Sequence, residues 1–489
     1  MARAASDVWY ATCAGCDMTV RRVLSSFFCP LLVTIGACSS DETLDDVGPG
    51  DVGPGDVGPG DVAKNADGGN SNADAKAVTD ADASSVTADS SGGGDGNGGS
   101  PDTGPDTGDP DSSPVGPGLG GFEGFGRDVT GGAGAATVTV TNLNSSGPGS
   151  LREALAGSNR IIQFSVAGTV TLTSTLTAGG ANVTIDGFSA PAPGITIQGA
   201  ALEIHGNSGG VNSQGSNIIV QGLRFRDIAD DSVRIAYNAH DIVVDHCSVS
   251  APTTGGDGAI DVTEGAYNVT ISHSVLDYSN SSDGPGASLL SYNSSRVSFH
   301  HNIFFGSKDR NPILTCNYTQ NYSTGSPHTD ILADVRYNIV WKYGIGTYIL
   351  SSGTCIGAAN VVANLYKNDG TTNPADVVVR AAYGSAARAN AFVAGNVAVH
   401  DPRGCAYSYG NSPCYNFPST NSQNNHAEFA APAITGPSAS DQQGRLDAWL
   451  MVRNNAGVIS KYTDDPADAA VRSAITIPDV SIFTKAWSD

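Results

Sequence analysis

From about Ser216 onward the chain repeats one short phrase every 23 to 28 residues: alternating apolar residues, a His or Asn near the end, then a turn. The copies read NIIVQGLRFRD from Asn217, HDIVVDHCSVS from His240, YNVTISHSVLD from Tyr267 and RVSFHHNIFF from Arg296. Units this short cannot each bury their own apolar face, so they must stack. Because they are rich in β-branched residues, the stack is a β-solenoid rather than a helical array. Function is then expected along one long outer face.

Composition divides the chain into three parts. Residues 1–38 end in an export signal. Met18 to Ala37 carries a basic start at Arg21 and Arg22, an apolar run too short for a spanning helix, and small residues before Cys38. Met18 is the expected true start. Ile35-Gly36-Ala37-Cys38 resembles the bacterial lipobox, which implies a lipid on Cys38. Residues 39–119 are DVGPG repeats followed by Asp, Gly, Ser, Ala and Asn, with too little apolar surface to offset the entropy of ordering; the expectation is a disordered, self-repelling tether. Its 17 acidic and two basic residues account for 15 of the 23 net negative charges, so the global charge says little about the partner. Its aspartates stand five apart with no cluster to complete a calcium shell.

Residues 120–489 exceed the ~250 to 300 residues at which single cores usually split, a limit a solenoid escapes by adding coils. Ser150 to Leu155 reads as a short helix, N-capped by Ser150, closing the first coil. Leu446 to Ala456 and Asp464 to Ala474 have helical spacing and are expected to close or fold back over the other end. Five cysteines lie beyond Cys38. Cys405 with Cys414 and Cys316 with Cys355 are candidate pairs that spacing does not settle, and Cys247 reads as a buried small hydrophobe. No CxxC pair stands in this part, which speaks against zinc.

Carboxylates and one arginine carry the chemistry. Asp231 and Asp257 lie 26 residues apart, about one coil, which sets equivalent positions one strand spacing (~4.8 Å) apart. Asp261 follows Asp257 by an even interval that keeps both on one face of an extended strand, and three such carboxylates suit a calcium ion. The competing reading is that they are turn aspartates, since Gly256-Asp257-Gly258 is a turn signal. Arg310 lies 49 residues after Asp261, about two coils or ~10 Å along the stack, leaving room for a sugar ring between metal and arginine. His246, His300 and His301 read as members of a hydrogen-bonded ladder rather than catalysts, as do Asn268 and Asn302.

Several short motifs occur in order: Glu123-Gly124-Phe125-Gly126, Ser146-Gly147-Pro148-Gly149-Ser150-Leu151-Arg152, Val183-Thr184-Ile185-Asp186-Gly187, Val244-Asp245-His246-Cys247-Ser248, Asp257-Gly258-Ala259-Ile260-Asp261, His300-His301-Asn302 and Asp309-Arg310-Asn311-Pro312. Together they resemble the pectate lyase family 1 polysaccharide lyases. The resemblance implies an all-β, right-handed parallel β-helix that cleaves polygalacturonate by calcium-assisted β-elimination. It further implies that Arg310 takes the C5 proton and that Asp231, Asp257 and Asp261 bind Ca2+. The chain departs from the family at Ala229, where an acidic ligand is usual and Asp230 or Asp227 could substitute. It departs again near Gly286 and at Thr315, where substrate-binding cations are usual; Lys308, Arg234 or Arg226 are the candidate replacements. Arginine is an awkward base because its pKa lies above ~12, so enolate stabilisation is the other role open to Arg310. The expected partner is an acidic polysaccharide. The membrane is engaged only through the lipid anchor, no nucleic acid is expected, and the protein is a monomer of the cell envelope or exterior. The competing functions are a calcium-independent pectin lyase, a β-helical hydrolase and a non-catalytic glycan binder.

Overall fold

The structure, a computed structural model, describes residues 121–207, 214–252, 255–281, 286–316, 330–351, 357–368, 377–381, 389–399, 415–416, 428–458 and 465–477. The export signal, Cys38, the 39–119 linker, Asp464 and the cysteines at 355, 405 and 414 lie outside them.

Each repeated phrase, expected to be one strand, is two strands meeting at a corner. NIIVQGLRFRD divides into Ser216–Gln221 and Leu223–Arg226 around Gly222, and HDIVVDHCSVS into His240–Asp245 and Ser248–Ser250. The corner residues Gly222, His246, His273 and His301 all have a left-handed backbone, with φ of 67°, 48°, 47° and 56°. At each corner the left-handed residue adds one to the in-out alternation, so the inward residues around His246 are Ile242, Val244, Cys247 and Val249.

A third strand completes each coil, and every third strand enters the same sheet. Among the described residues this gives one ten-stranded and two nine-stranded sheets, parallel throughout. The first sheet contains Ser216–Gln221, His240–Asp245, Tyr267–Ser272 and Ser295–His300. The second contains Leu202–His205, Val233–Ala236, Ile260–Val262, Leu289–Leu290 and Ile313–Cys316. The third contains Leu223–Arg226, Ser248–Ser250, Val275–Asp277 and Ile303–Phe305. Parallel crossovers of one hand build a right-handed parallel β-helix.

Register stacks like on like. Val183, Ile218, Ile242, Val269, Val297 and Ala333 form one inward column through six coils, each essentially inaccessible. Burying an aliphatic side chain of this size contributes about 1.5 to 3 kcal/mol, so each coil is stabilised mainly by its neighbours. Next to the corner, Asn302, Asn338, Asn364 and Asn396 form the expected ladder: each of the first three amides donates to the next Oδ1, at 3.1, 2.9 and 2.9 Å. Cys247, in the same row, is free and buried.

The amino-terminal end is closed as expected. Helix α1 (Leu151–Ala154) is N-capped by Ser150, which accepts from Glu153 N, and it buries Leu151 and Ala154 in the core. The carboxy-terminal helices behave differently. Helices α2 (Gln442–Asn455) and α3 (Pro466–Ala474) lie along the outer face of the third sheet, where Trp449, Val452 and Val471 pack on Val275, Ile303, Ile339 and Trp341. That face is apolar, and an unpartnered apolar sheet face needs a cover. No described helix is long and apolar enough to cross a membrane.

Candidate functional site

The turns entering the strands Val233–Ala236 and Ile260–Val262 of the second sheet bring the aspartates together. Gly256 N donates to Ala229 O at 3.0 Å and Ser232 N to Gly258 O at 2.9 Å, so the sheet ladder continues into the turns. Arg234 pairs with Asp261, an offset of 27 rather than 26. Carried back along the chain, that register sets Asp230, not Asp231, opposite Asp257, and Asp231 opposite Gly258. The three carboxylates of Asp230, Asp231 and Asp257 nonetheless each place an oxygen within 4.8 Å of the other two. Of the two candidate substitutes for Ala229, Asp230 is in this cluster, whereas Asp227 accepts from Gln198 Nε2 at 2.8 Å.

Asp261 is the most buried of these aspartates, with its side chain 2% exposed, while that of Asp257 is 52% exposed. Gly258 makes room for it: a Cβ there would stand 2.3 Å from Asp261 Oδ1. That oxygen accepts from Leu289 N at 2.9 Å.

Arg310 reaches this cluster from farther along the stack. Its Nη1 lies 3.0 Å from Asp257 Oδ1 and 3.3 Å from Asp261 Oδ2, so the space expected to admit a sugar ring between arginine and carboxylates is closed by direct pairing. Main-chain separation along the coils gave the wrong distance because an extended arginine side chain spans it. The arginine is set by a left-handed backbone (φ 56°), by Asp309 Oδ1 accepting from its amide at 2.7 Å, and by its carbonyl accepting from Ser288 N at 2.8 Å. The intervening coil contributes Gly286, at φ 146°, where a Cβ would meet the Asp309 carbonyl at 1.9 Å. A lysine there would not fit, so this site is built without one. Thr315 is buried.

One guanidinium does not balance the negative charge. Burial, with Asp257 and Asp230 adding to it, pushes Asp231 up to about 6. Burial and Asp231 raise Asp261 well above the carboxylate range, with Arg310 opposing. Asp231 Oδ1 is buried with no hydrogen-bond partner. An all-oxygen set of clustered aspartates, over-charged and holding an unpartnered buried oxygen, fits a hard divalent cation. Tyr278, buried and raised by burial and by the same carboxylates, lines the cluster; nothing in its sequence context marked it.

The three candidate substrate contacts fare differently. Arg234 lies beside the cluster but is held by Glu264 at 2.8 Å and Glu203 at 3.5 Å, with its guanidinium over Tyr237. Lys308 is exposed two residues before Arg310. Arg226 is on the third sheet, bound to Asp465 at 3.1 Å under α3, away from the carboxylates.

No family model matches the chain. Among curated proteins it is similar to a probable pectate lyase C of Aspergillus terreus, 31% identical over 259 residues that cover 52% of this chain and 55% of that protein. The corresponding protein of Emericella nidulans is 33% identical over 216 residues, 42% and 48% of the two chains. The chain spans about half the length of the curated relatives it matches. Among solved structures, the major allergen from cedar pollen aligns with a TM-score of 0.49 at 18% identity, covering 69% of this chain and 93% of that one. A pectate lyase of Bacillus sp. N165 in complex with trigalacturonate aligns with a TM-score of 0.47 at 14% identity, covering 69% and 99%. By its sheet topology the chain is a right-handed parallel β-helix, and over about half its length its sequence is similar to pectate lyases.

Proposed function

We propose that the protein is a polysaccharide lyase that cleaves polygalacturonate by calcium-assisted β-elimination, leaving 4,5-unsaturated oligogalacturonides. The observation that carries this reading is the guanidinium of Arg310 lodged against Asp257 and Asp261 beside an over-charged aspartate cluster on one outer sheet face. Asp231, Asp257 and Asp261, with Asp230, are the residues that would hold calcium. When bound, it supplies a Lewis acid that neutralises a uronate carboxylate and makes the adjacent C5 proton more acidic.

Arg310 is the catalytic residue of this reading. An arginine guanidinium stays protonated in proteins, so its role is to orient the uronate and stabilise the developing enolate charge while another group accepts the C5 proton. Lys308 and Arg234 are the substrate contacts, Arg234 by exchanging Glu203 for a uronate. The export signal, acylated Cys38 and the 39–119 tether would hold the 120–489 domain at the cell envelope, facing an extracellular glycan.

The absence of cationic side chains at Gly286 and Thr315 favours, as a second reading, a calcium-independent pectin lyase acting on methyl esters. Incubation with polygalacturonate and with methylated pectin, followed by ultraviolet absorbance of unsaturated uronides, separates these. Absorbance from polygalacturonate that requires calcium supports the first reading, and absorbance from methylated pectin in chelator supports the second. New reducing ends without absorbance mark a hydrolase, and binding without product refutes all enzymatic readings.

A further inference from the structure

On the first sheet, remote in the coil from the aspartates, the left-handed corners stack histidines. The rings of His246 and His273 lie 4.7 Å apart at 10°, those of His273 and His301 5.1 Å apart at 3°, and Tyr337 continues the column 5.2 Å from His301. His300 stands edge-on to both His273 and His301. Register explains the grouping, because Ser272 pairs with His300 and the next residues, His273 and His301, follow in line.

We propose that His273, His300 and His301 form a binding site for a borderline transition-metal cation of the zinc type, with Asp245 as the carboxylate that orients it. The three imidazoles each place a nitrogen within 4.8 Å of the other two. His300 Nδ1 and His301 Nδ1 face each other at 2.9 Å, close to the ~3.3 Å that separates two nitrogens on a tetrahedral ion with bonds of ~2.0 to 2.1 Å. One proton serves that contact; moving it to the ring's other nitrogen frees both Nδ1 lone pairs to ligate once the rings turn from each other toward an ion. His300 Nε2, buried beside the Glu123 backbone without completing a hydrogen bond, is a position that can carry it. His273, 30% exposed, lies parallel to His301 and must turn out of that stack to bring a nitrogen onto the same ion, which its exposure allows.

One further feature suits a metal better than a packing ladder alone. Asp245 is buried. It accepts from His273 Nδ1 at 3.1 Å, His246 Nδ1 at 2.6 Å and Ser272 Oγ at 2.6 Å, the carboxylate–histidine arrangement that fixes ring orientation at metal sites. Nitrogen ligands select a borderline ion over calcium, which prefers oxygen. The lack of CxxC pairs spoke against zinc; the imidazole group arises from coil register, which chain spacing does not display. None of this depends on the lyase reading.

The test is calorimetric titration of zinc chloride into the full chain, stripped of metal and held in saturating calcium. The expected result is one saturable zinc per chain, unchanged in Asp257→Asn, weakened about 10- to 100-fold in Asp245→Asn, and lost in His273→Phe, which keeps the ring stack. Circular dichroism confirms that each variant is folded. No saturable zinc uptake by the parent, or uptake unaltered by His273→Phe, overturns the proposal.

Discussion

Replacing Asp231 by asparagine should stabilise the calcium-free protein, the opposite of what removing a charged residue from a binding site usually suggests. The carboxyl is raised from 3.8 to about 6, by burial first and then by Asp257 and Asp230. For an acid so raised, the folded state prefers the protonated form. The stabilising preference is whole below the unfolded pKa near 3.8 and is lost as pH rises through 6, above which the folded protein carries an unfavourable charge. About two pKa units correspond to about 3 kcal/mol at pH 7.5. With an unfolding entropy of roughly 2.1 cal/mol/K per residue over the β-helix domain, 3 kcal/mol corresponds to a rise in Tm of about 4 °C.

The assay is thermal unfolding followed by circular dichroism, with and without excess chelator, at pH 3.5 and 7.5. Asp231→Asn should exceed the parent by a few degrees at pH 7.5 in chelator and match it at pH 3.5. Calcium should raise the parent's Tm at pH 7.5 and leave the variant's nearly unmoved, because the cation relieves the same repulsion that the substitution removes. A variant less stable than the parent at pH 7.5 in chelator would refute the reasoning, since Asp231 would then have a compensating partner rather than an unpartnered oxygen.

Arg310→Lys keeps a charge but loses the planar fork, so turnover of polygalacturonate should fall about 10² to 10³-fold while glycan binding persists; near-parent rates would make Arg310 structural. Asp257→Asn and Asp261→Asn should raise the calcium concentration needed for half-maximal activity without changing the far-ultraviolet circular dichroism, and full activity of the parent in chelator would count against calcium altogether. Cys38→Ala should release the protein from membranes or leave it unprocessed, whereas fully soluble parent protein still carrying residues 1 to 37 would exclude the anchor.

What the sequence revealed follows from what repeats. The inward columns and the Asn302 ladder recur once per coil, so their periodicity stands out along the chain, and Ser150 announces its own cap. The corners did not stand out, because a left-handed residue such as His246 or His301 adds only a single residue to the alternation of side chains within a short apolar run. The candidate site was legible as residue types and only partly as geometry. The coil there is 27 residues rather than 26, which sets Asp230 opposite Asp257, yet Asp231 still places an oxygen within 4.8 Å of both. Arg310 exposed a second limit: distance counted in coils measures main chains, while its guanidinium crosses that distance to reach Asp257 and Asp261. That pairing has a chemical consequence for any cation-dependent reaction here. A divalent ion held at Asp257 and Asp261 would draw on the same two carboxylates as Arg310, weakening the hold on the guanidinium and freeing it for a substrate carboxylate. Metal affinity and arginine availability would then be linked through Asp257 and Asp261. Substitutions at these aspartates should alter both together, whereas Asp231, which Arg310 does not touch at ion-pair distance, should alter metal affinity with much less effect on the arginine.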